Sequence, residues 1–205
     1  MTQIYLISPP KIELKDFSLQ LEIALKTGLV PAFQLRLKDY ERNDITFIAR
    51  QIKKICQDNN CLFILNDDYQ LAFEVVANGV HLGSDDGSIK KARQFLPQNF
   101  IIGASCYDSK HLAIQAVEDG ANYISYGAFF ASQTKKSKGN PKPDIISWSV
   151  ELLDVPIVAI GGINDQNCKI LVDVGVDFIA VISYVWQHPQ GVAVAIRNIA
   201  SKLNN

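Results

Sequence analysis

At 205 residues, with 48% apolar and 20% charged, the chain suits one folded domain spanning residues 1–205 and excludes a disordered segment. A formal net charge of −1 supplies no field to gather nucleic acid or an acidic membrane surface, and no apolar run approaches the roughly 20 residues of a membrane span. Its first residues, Met1-Thr2-Gln3-Ile4-Tyr5-Leu6-Ile7, lack the basic start and long apolar run of a signal peptide, so a cytoplasmic location is expected.

Short apolar runs bounded by Gly, Asn, Asp or Pro alternate with segments of helical period. Residues 4–8 predict a strand and 18–27 a helix that Gly28 ends; 32–38 and 45–57 repeat the pair. A strand at 62–65 precedes a short helix over 69–76, and a strand at 79–83 precedes a helix over 88–95. Next come a strand at 101–106 and a helix that Asp108 or Ser109 caps and Gly120 stops. Strands at 123–130 and 156–160 flank a polar loop and a helix near 145–153. Asn164 or Asp165 then starts a helix ending at Gly175, 178–183 is the last strand, and 192–203 the last helix.

Eight β–α units without interruption predict a parallel sheet with helices outside it. A doubly wound open sheet is the alternative, but it usually carries fewer strands, and no G-x-G-x-x-G follows any strand here. The expected fold is therefore a single (β/α)₈ TIM barrel, close to the lower limit of about 200 residues for that architecture.

Cys56, Cys61, Cys106 and Cys168 form no C-x-x-C pair or zinc spacing, and read as reduced thiols. His81, His111 and His188 are scattered, and each reads as structural or surface.

Barrel active sites form at the C-terminal ends of strands, and polar groups gather there in this chain. In 32–38 the residues Gln34, Arg36 and Lys38 share one face and Phe33, Leu35 and Leu37 the other. On an edge strand the polar face would simply be solvated. A barrel has no edge, so these side chains would need partners, and an anionic diphosphate suits Arg with Lys. Asn66-Asp67-Asp68 and Ser84-Asp85-Asp86 end the next two strands. Each alone reads as turn or cap chemistry, but together, beside a cationic strand, they suit Mg²⁺ shared with substrate phosphates. Gly161-Gly162 and Ser183 end the last two strands, where barrels often bind a phosphate. The segment 132–143, with its lysines and prolines, follows a strand at the same end, and its position favours an active-site lid over a plain solvated loop. Two anion sites across one mouth suggest the joining of two phosphorylated small molecules.

The series Gln34-Leu35-Arg36-x-Lys38, Asn66-Asp67-Asp68, Gly79-Val80-His81-Leu82-Gly83-x-Asp85-Asp86, Gly127-x-x-Phe130-x-Ser132-x-Thr134-Lys135, Gly161-Gly162-Ile163 and Val181-Ile182-Ser183 resembles the thiamine phosphate synthase family. The resemblance implies a TIM-barrel transferase that joins an aminopyrimidine diphosphate to a thiazole phosphate with release of pyrophosphate. It implies that Gln34, Leu35, Arg36, Leu37, Lys38, Asn66, Ser105 and Lys135 bind the pyrimidine diphosphate, and that Asp67 and Asp86 hold Mg²⁺. Ser132, Gln133, Thr134, Gly162, Ile182 and Ser183 would bind the thiazole phosphate. The chain departs from the family pattern at Ala128 and Ala131, where many members have proline, at Ser132 for a common threonine, and at Cys106-Tyr107, where many carry His two residues after the Ser. A related tautomerase places His at the position of Ala128 and lacks the full cationic strand, which favours the synthase. A non-catalytic phosphate binder would have little use for the carboxylate pair. Whether copies of the chain form a homo-oligomer is left open.

Overall fold

Every strand in the chain has one apolar face that must meet the helices and one face that must meet the other strands, and the arrangement satisfying both is closed. The computed structural model, which describes residues 1–84, 86–131 and 139–203, is a closed parallel barrel in which each strand pairs with its neighbours in sequence and β1 pairs with β8. The strands are β1 (Gln3–Ile7), β2 (Ala32–Leu35), β3 (Leu62–Asn66), β4 (Gly79–Leu82), β5 (Ile101–Tyr107), β6 (Tyr123–Gly127), β7 (Ile157–Ile160) and β8 (Phe178–Val181). Helices α1 (Leu14–Leu25), α2 (Arg42–Asp58), α3 (Tyr69–Glu74), α4 (Ile89–Phe95), α5 (Lys110–Glu118), α6 (Asp144–Leu152) and α7 (Lys169–Val172) follow β1 to β7 in turn, and α8 (Ser183–Trp186) and α9 (Val192–Leu203) follow β8. No described helix is long and apolar enough to cross a membrane.

Strand alternation divides the apolar residues into two cores. Outward-facing residues such as Ile4, Leu6, Phe33, Leu35, Phe63 and Leu65 pack under the helices. Burying a side chain of this size stabilises the fold by about 1.5–3 kcal/mol. Tyr5, Ile7, Ala32, Ile64, Tyr123, Val158 and Ala180 fill the lumen. Large and small residues interlock there: a Cβ on Gly103 would lie 1.9 Å from the Tyr123 ring, so the bare backbone of β5 makes room for that phenol.

The N-terminal end of the barrel is held by one device used repeatedly. Helices α2, α3, α5 and α7 end in a left-handed residue (Asn60, Val76, Gly120 and Gly175), and the next N–H donates back to a carbonyl near the helix end. After α3, α5 and α7, the residue just before the strand then accepts from a backbone N–H in the preceding strand. Asn78 Oδ1 takes Phe63 N–H, Asn122 Oδ1 takes Ile102 N–H and Asp177 Oδ2 takes Ile157 N–H, each at 2.8 Å. Arg93 reinforces the second staple by donating to Asn122 Oδ1 and to the carbonyls of Gly120, Pro97 and Phe100.

Several elements differ from expectation, among them β2, whose pairing ends at Leu35 rather than 38, and α1, which starts at Leu14 rather than 18. The helix foreseen from 164 is only the short α7, because Asn164 Oδ1 accepts from the N–H groups of Gln166 and Asn167 and holds the chain in turns. Pairing of β6 stops at Gly127 rather than 130, and 128–131 instead fold over the end of β7, with Phe129 and Phe130 N–H donating to the carbonyls of Ile160 and Gly161. Helix α8 was not foreseen, since four residues carry too little periodicity to register. Replacing Asn122 with Ala should lower unfolding free energy by about 2–3 kcal/mol in a urea melt, because a buried strand N–H and Arg93 lose their acceptor; a loss under about 0.5 kcal/mol would contradict the staple.

Candidate active site

The cationic strand behaves as its alternation requires. Gln34, Arg36 and Lys38 line a cavity of about 980 Å³ at the C-terminal mouth, although ladder pairing of β2 ends at Leu35. Leu35 and Leu37 turn outward into the core under the helices, so neither presents its side chain to the cavity. Asn66, Asp67, Asp86 and Ser105 line the same cavity, and so do Gly162, Ile182 and Ser183 on its opposite side. Ser132, Gln133, Thr134 and Lys135 lie outside the described residues, as do Asp85 and most of the expected lid.

Along one wall the polar groups form a single chain. Gln34 Nε2 donates to Asn66 Oδ1 at 3.1 Å, and the Asn66 amide donates to Asp67 Oδ1. Lys38 Nζ donates to Asp67 Oδ2 at 2.5 Å. Asp67 sits in the left-handed region at φ 72°, with its N–H on the carbonyl of His81, and this turns its carboxylate into the mouth. Burial, and then the neighbouring Asp86 carboxyl, raise the proton affinity of Asp67 above the usual aspartate range, while Lys38 opposes them. Asp68 is divided from this group, as its side chain caps α3 by accepting from Leu71 N–H at 2.8 Å and pairs outward with Arg42. The Arg36 guanidinium has no ion pair among the described residues.

Two carboxylates held together beside two cations could supply half of a hard-cation site. Asp67 and Asp86 offer the oxygen donors that Mg²⁺ prefers, and their mutual repulsion is what a divalent cation would relieve. Among the described residues no group of three His, Cys, Asp or Glu side chains is placed to hold a metal by itself. A cation here would draw its remaining ligands from water and a bound phosphate, which is the usual habit of Mg²⁺.

The floor of the cavity contains groups that the sequence reading passed over. His81, read as structural or surface, is in the lumen with both ring nitrogens engaged: Nδ1 with the Tyr123 hydroxyl and Nε2 with the Ser105 hydroxyl, each at 2.9 Å. The Tyr5 and Tyr123 hydroxyls share a further bond of 2.8 Å, and burial pushes both phenols above the ordinary tyrosine range. The signal was available in the period of two. Tyr5 lies between Ile4 and Leu6, His81 between Val80 and Leu82, and Tyr123 two residues before Ser125, all on inward positions.

On the opposite wall the glycines have a second reason to be glycine. At Gly161, with φ 107°, a Cβ would lie 2.3 Å from the Ala128 Cβ, and at Gly162, with φ 61°, it would lie 2.4 Å from the Ala131 carbonyl oxygen. Their bare backbone therefore seats the segment 128–131 over the end of β7. Gly162 still lines the cavity, beside Ile182 and the first residue of α8, Ser183.

A family model described as TMP-TENI, thiamine monophosphate synthase, matches residues 4–185. The thiamine-phosphate synthase of Rhodospirillum centenum is 41% identical over 194 residues, covering 95% of this chain and 94% of the relative. That of Erythrobacter litoralis is 42% identical over 198 residues, covering 94% and 92%. The solved thiamine phosphate pyrophosphorylase of Pyrococcus furiosus superposes with a TM-score of 0.84 at 31% identity, over 98% of this chain and 95% of that one. Family match, full-length relatives and shared barrel agree: the chain belongs to the thiamine monophosphate synthase family.

Proposed function

We propose that the chain is a thiamine-phosphate synthase, a transferase that joins 4-amino-2-methyl-5-hydroxymethylpyrimidine diphosphate to 4-methyl-5-(2-phosphooxyethyl)thiazole and releases pyrophosphate. The observation that carries this reading is the division of one cavity into two unlike walls. One holds Arg36, Lys38 and the Asp67–Asp86 pair; the other holds Gly162, Ile182 and Ser183. Two phosphorylated molecules can then face each other across the mouth, the first giving up a diphosphate and the second accepting its carbon.

In this reading the C–O bond between the pyrimidine methylene and the diphosphate breaks first, and the pyrimidine 4-amino group stabilises the resulting cation. The thiazole nitrogen then forms the new C–N bond. Such a displacement needs no nucleophilic side chain. It needs the departing charge neutralised and the acceptor held in line. Arg36 and Lys38 supply positive charge to the diphosphate oxygens, and Lys135 adds to them. Gln34, Asn66 and Ser105 orient the pyrimidine, with Ser105 fixed from below by His81. Ser132, Gln133, Thr134, Gly162, Ile182 and Ser183 hold the thiazole phosphate. Asp67 and Asp86 would hold Mg²⁺, which when bound supplies further charge neutralisation to the leaving diphosphate.

Purified protein given both substrates and Mg²⁺ is expected to form thiamine phosphate and pyrophosphate in equal amounts; tautomerase activity with no condensation product would overturn the assignment. Asp67→Asn keeps the size of the side chain while removing its charge, and should cut Mg²⁺-dependent turnover by about 10²-fold or more with the circular dichroism spectrum unchanged. Retained turnover in that variant would refute the metal assignment. Gly161→Ala displaces segment 128–131, so it should weaken thiazole phosphate binding by calorimetry while sparing pyrophosphate binding. Equal affinity for the thiazole phosphate would show that the seat on β7 is irrelevant to that half of the site.

A further inference from the structure

β5 ends in a way that regular strand geometry does not require. Its pairing with β6 slips between Ser105, opposite Ser125, and Tyr107, opposite Tyr126, so two steps on β5 match one step on β6. Tyr107 adopts φ 56°, a left-handed conformation that costs free energy for a bulky L-residue. Bulges of this kind beside active sites re-aim a side chain. Here the phenol is carried across to the β4–α4 connection, where its oxygen lies 3.0 Å from Ser84 Oγ and accepts from Ser84 N–H at 3.4 Å.

Ser84 lies within a turn that closes on Asp86. Gly83 N–H donates to Asp86 Oδ2 at 2.9 Å, and Asp86 N–H donates to the Gly83 carbonyl at 3.2 Å. A Cβ built on Gly83 would lie 2.6 Å from Asp86 Oδ2 and 3.7 Å from the Tyr107 phenol oxygen, so both oxygens converge on one short piece of backbone. The residue after β5 tethers a different loop, since Asp108 Oδ2 accepts from Asn140 N–H at 3.0 Å.

We infer that Tyr107 is a positioning residue that holds the Asp86 carboxylate where a cation shared with Asp67 would meet it. The inference rests on the Mg²⁺ reading of that pair. Asp67 is fixed by its own backbone, Asn66 and Lys38, and Asp86 is held by Gly83 N–H at the end of β4; the Tyr107 hydroxyl adds a bond from β5 to Ser84, which follows Gly83. Loss of that bond would free Ser84, and with it Gly83, to shift the Asp86 carboxylate relative to Asp67. The cost would then fall on metal-dependent binding and not on the fold.

Calorimetric titration of the full chain with pyrophosphate, with Mg²⁺ and again with a chelator in its place, tests this. Tyr107→Phe keeps the ring and removes the hydroxyl. It should weaken magnesium–pyrophosphate binding about fivefold and leave metal-free pyrophosphate binding within about twofold. In turnover the same variant should raise the Mg²⁺ concentration needed for half-maximal rate more than it lowers the maximal rate. Ser84→Ala cuts the bond from its other end, and the double variant should be no worse than either single one. Unchanged magnesium–pyrophosphate affinity would overturn the inference, as would an equal loss for metal-free pyrophosphate or an equal loss in Asp108→Ala. If wild-type binding of pyrophosphate takes no account of Mg²⁺, the reading of Asp67 and Asp86 falls, and this inference with it.

Discussion

Closure of the sheet is the constraint on which the rest depends. Once β1 pairs with β8, no strand retains an edge on which polar side chains could be solvated. Gln34 is 2% exposed, and its amide is matched by Asn66. Lys38 is matched by Asp67, whereas Arg36 has no ion pair among the described residues. The proposed diphosphate fits this imbalance: it meets an arginine with no ion pair among the described residues and a carboxylate pair in which Asp86 raises the proton affinity of Asp67. Diphosphate and divalent cation would each relieve what the other leaves over.

The two ends of the barrel spend their polar residues differently. At the N-terminal end, Asn78, Asn122 and Asp177 satisfy strand N–H groups, and Arg93 satisfies several carbonyls, so side chains and backbone are matched internally. At the C-terminal end the left-handed Asp67 and Tyr107, the bulge in β5 and the folded-over segment after β6 all turn side chains or backbone towards the cavity. Left-handed residues occur at both ends, but at the N-terminal end Asn60 and Val76 close helices, whereas Asp67 and Tyr107 re-aim polar side chains at the cavity.

Much of this was legible in the sequence because a barrel makes one pattern repeat. Alternation along 32–38 foretold which of Gln34, Arg36 and Lys38 face inward and which of Leu35 and Leu37 do not, and β–α alternation foretold the fold. Asn66-Asp67-Asp68 read as a unit, yet only position in space separates the carboxylate in the mouth from the one capping α3. His81 was passed over because a lone histidine carries no partner in sequence; its partners are 24 and 42 residues away. Gly161-Gly162 was singled out for phosphate approach, and both line the cavity, while the close packing of Ala128 and Ala131 against them could not be read without the fold. The clasp from Tyr107 to Ser84 depends on a register slip that no periodicity announces.

The central claim is that one wall of the cavity is a metal–diphosphate site. A crystal of the chain grown with pyrophosphate and Mn²⁺, measured at a wavelength where manganese scatters anomalously, tests it most directly. An anomalous peak at the Asp67 and Asp86 carboxylates is expected, with the pyrophosphate against Arg36 and Lys38. Pyrophosphate seated instead at Gly162 and Ser183, or manganese away from both aspartates, would contradict it.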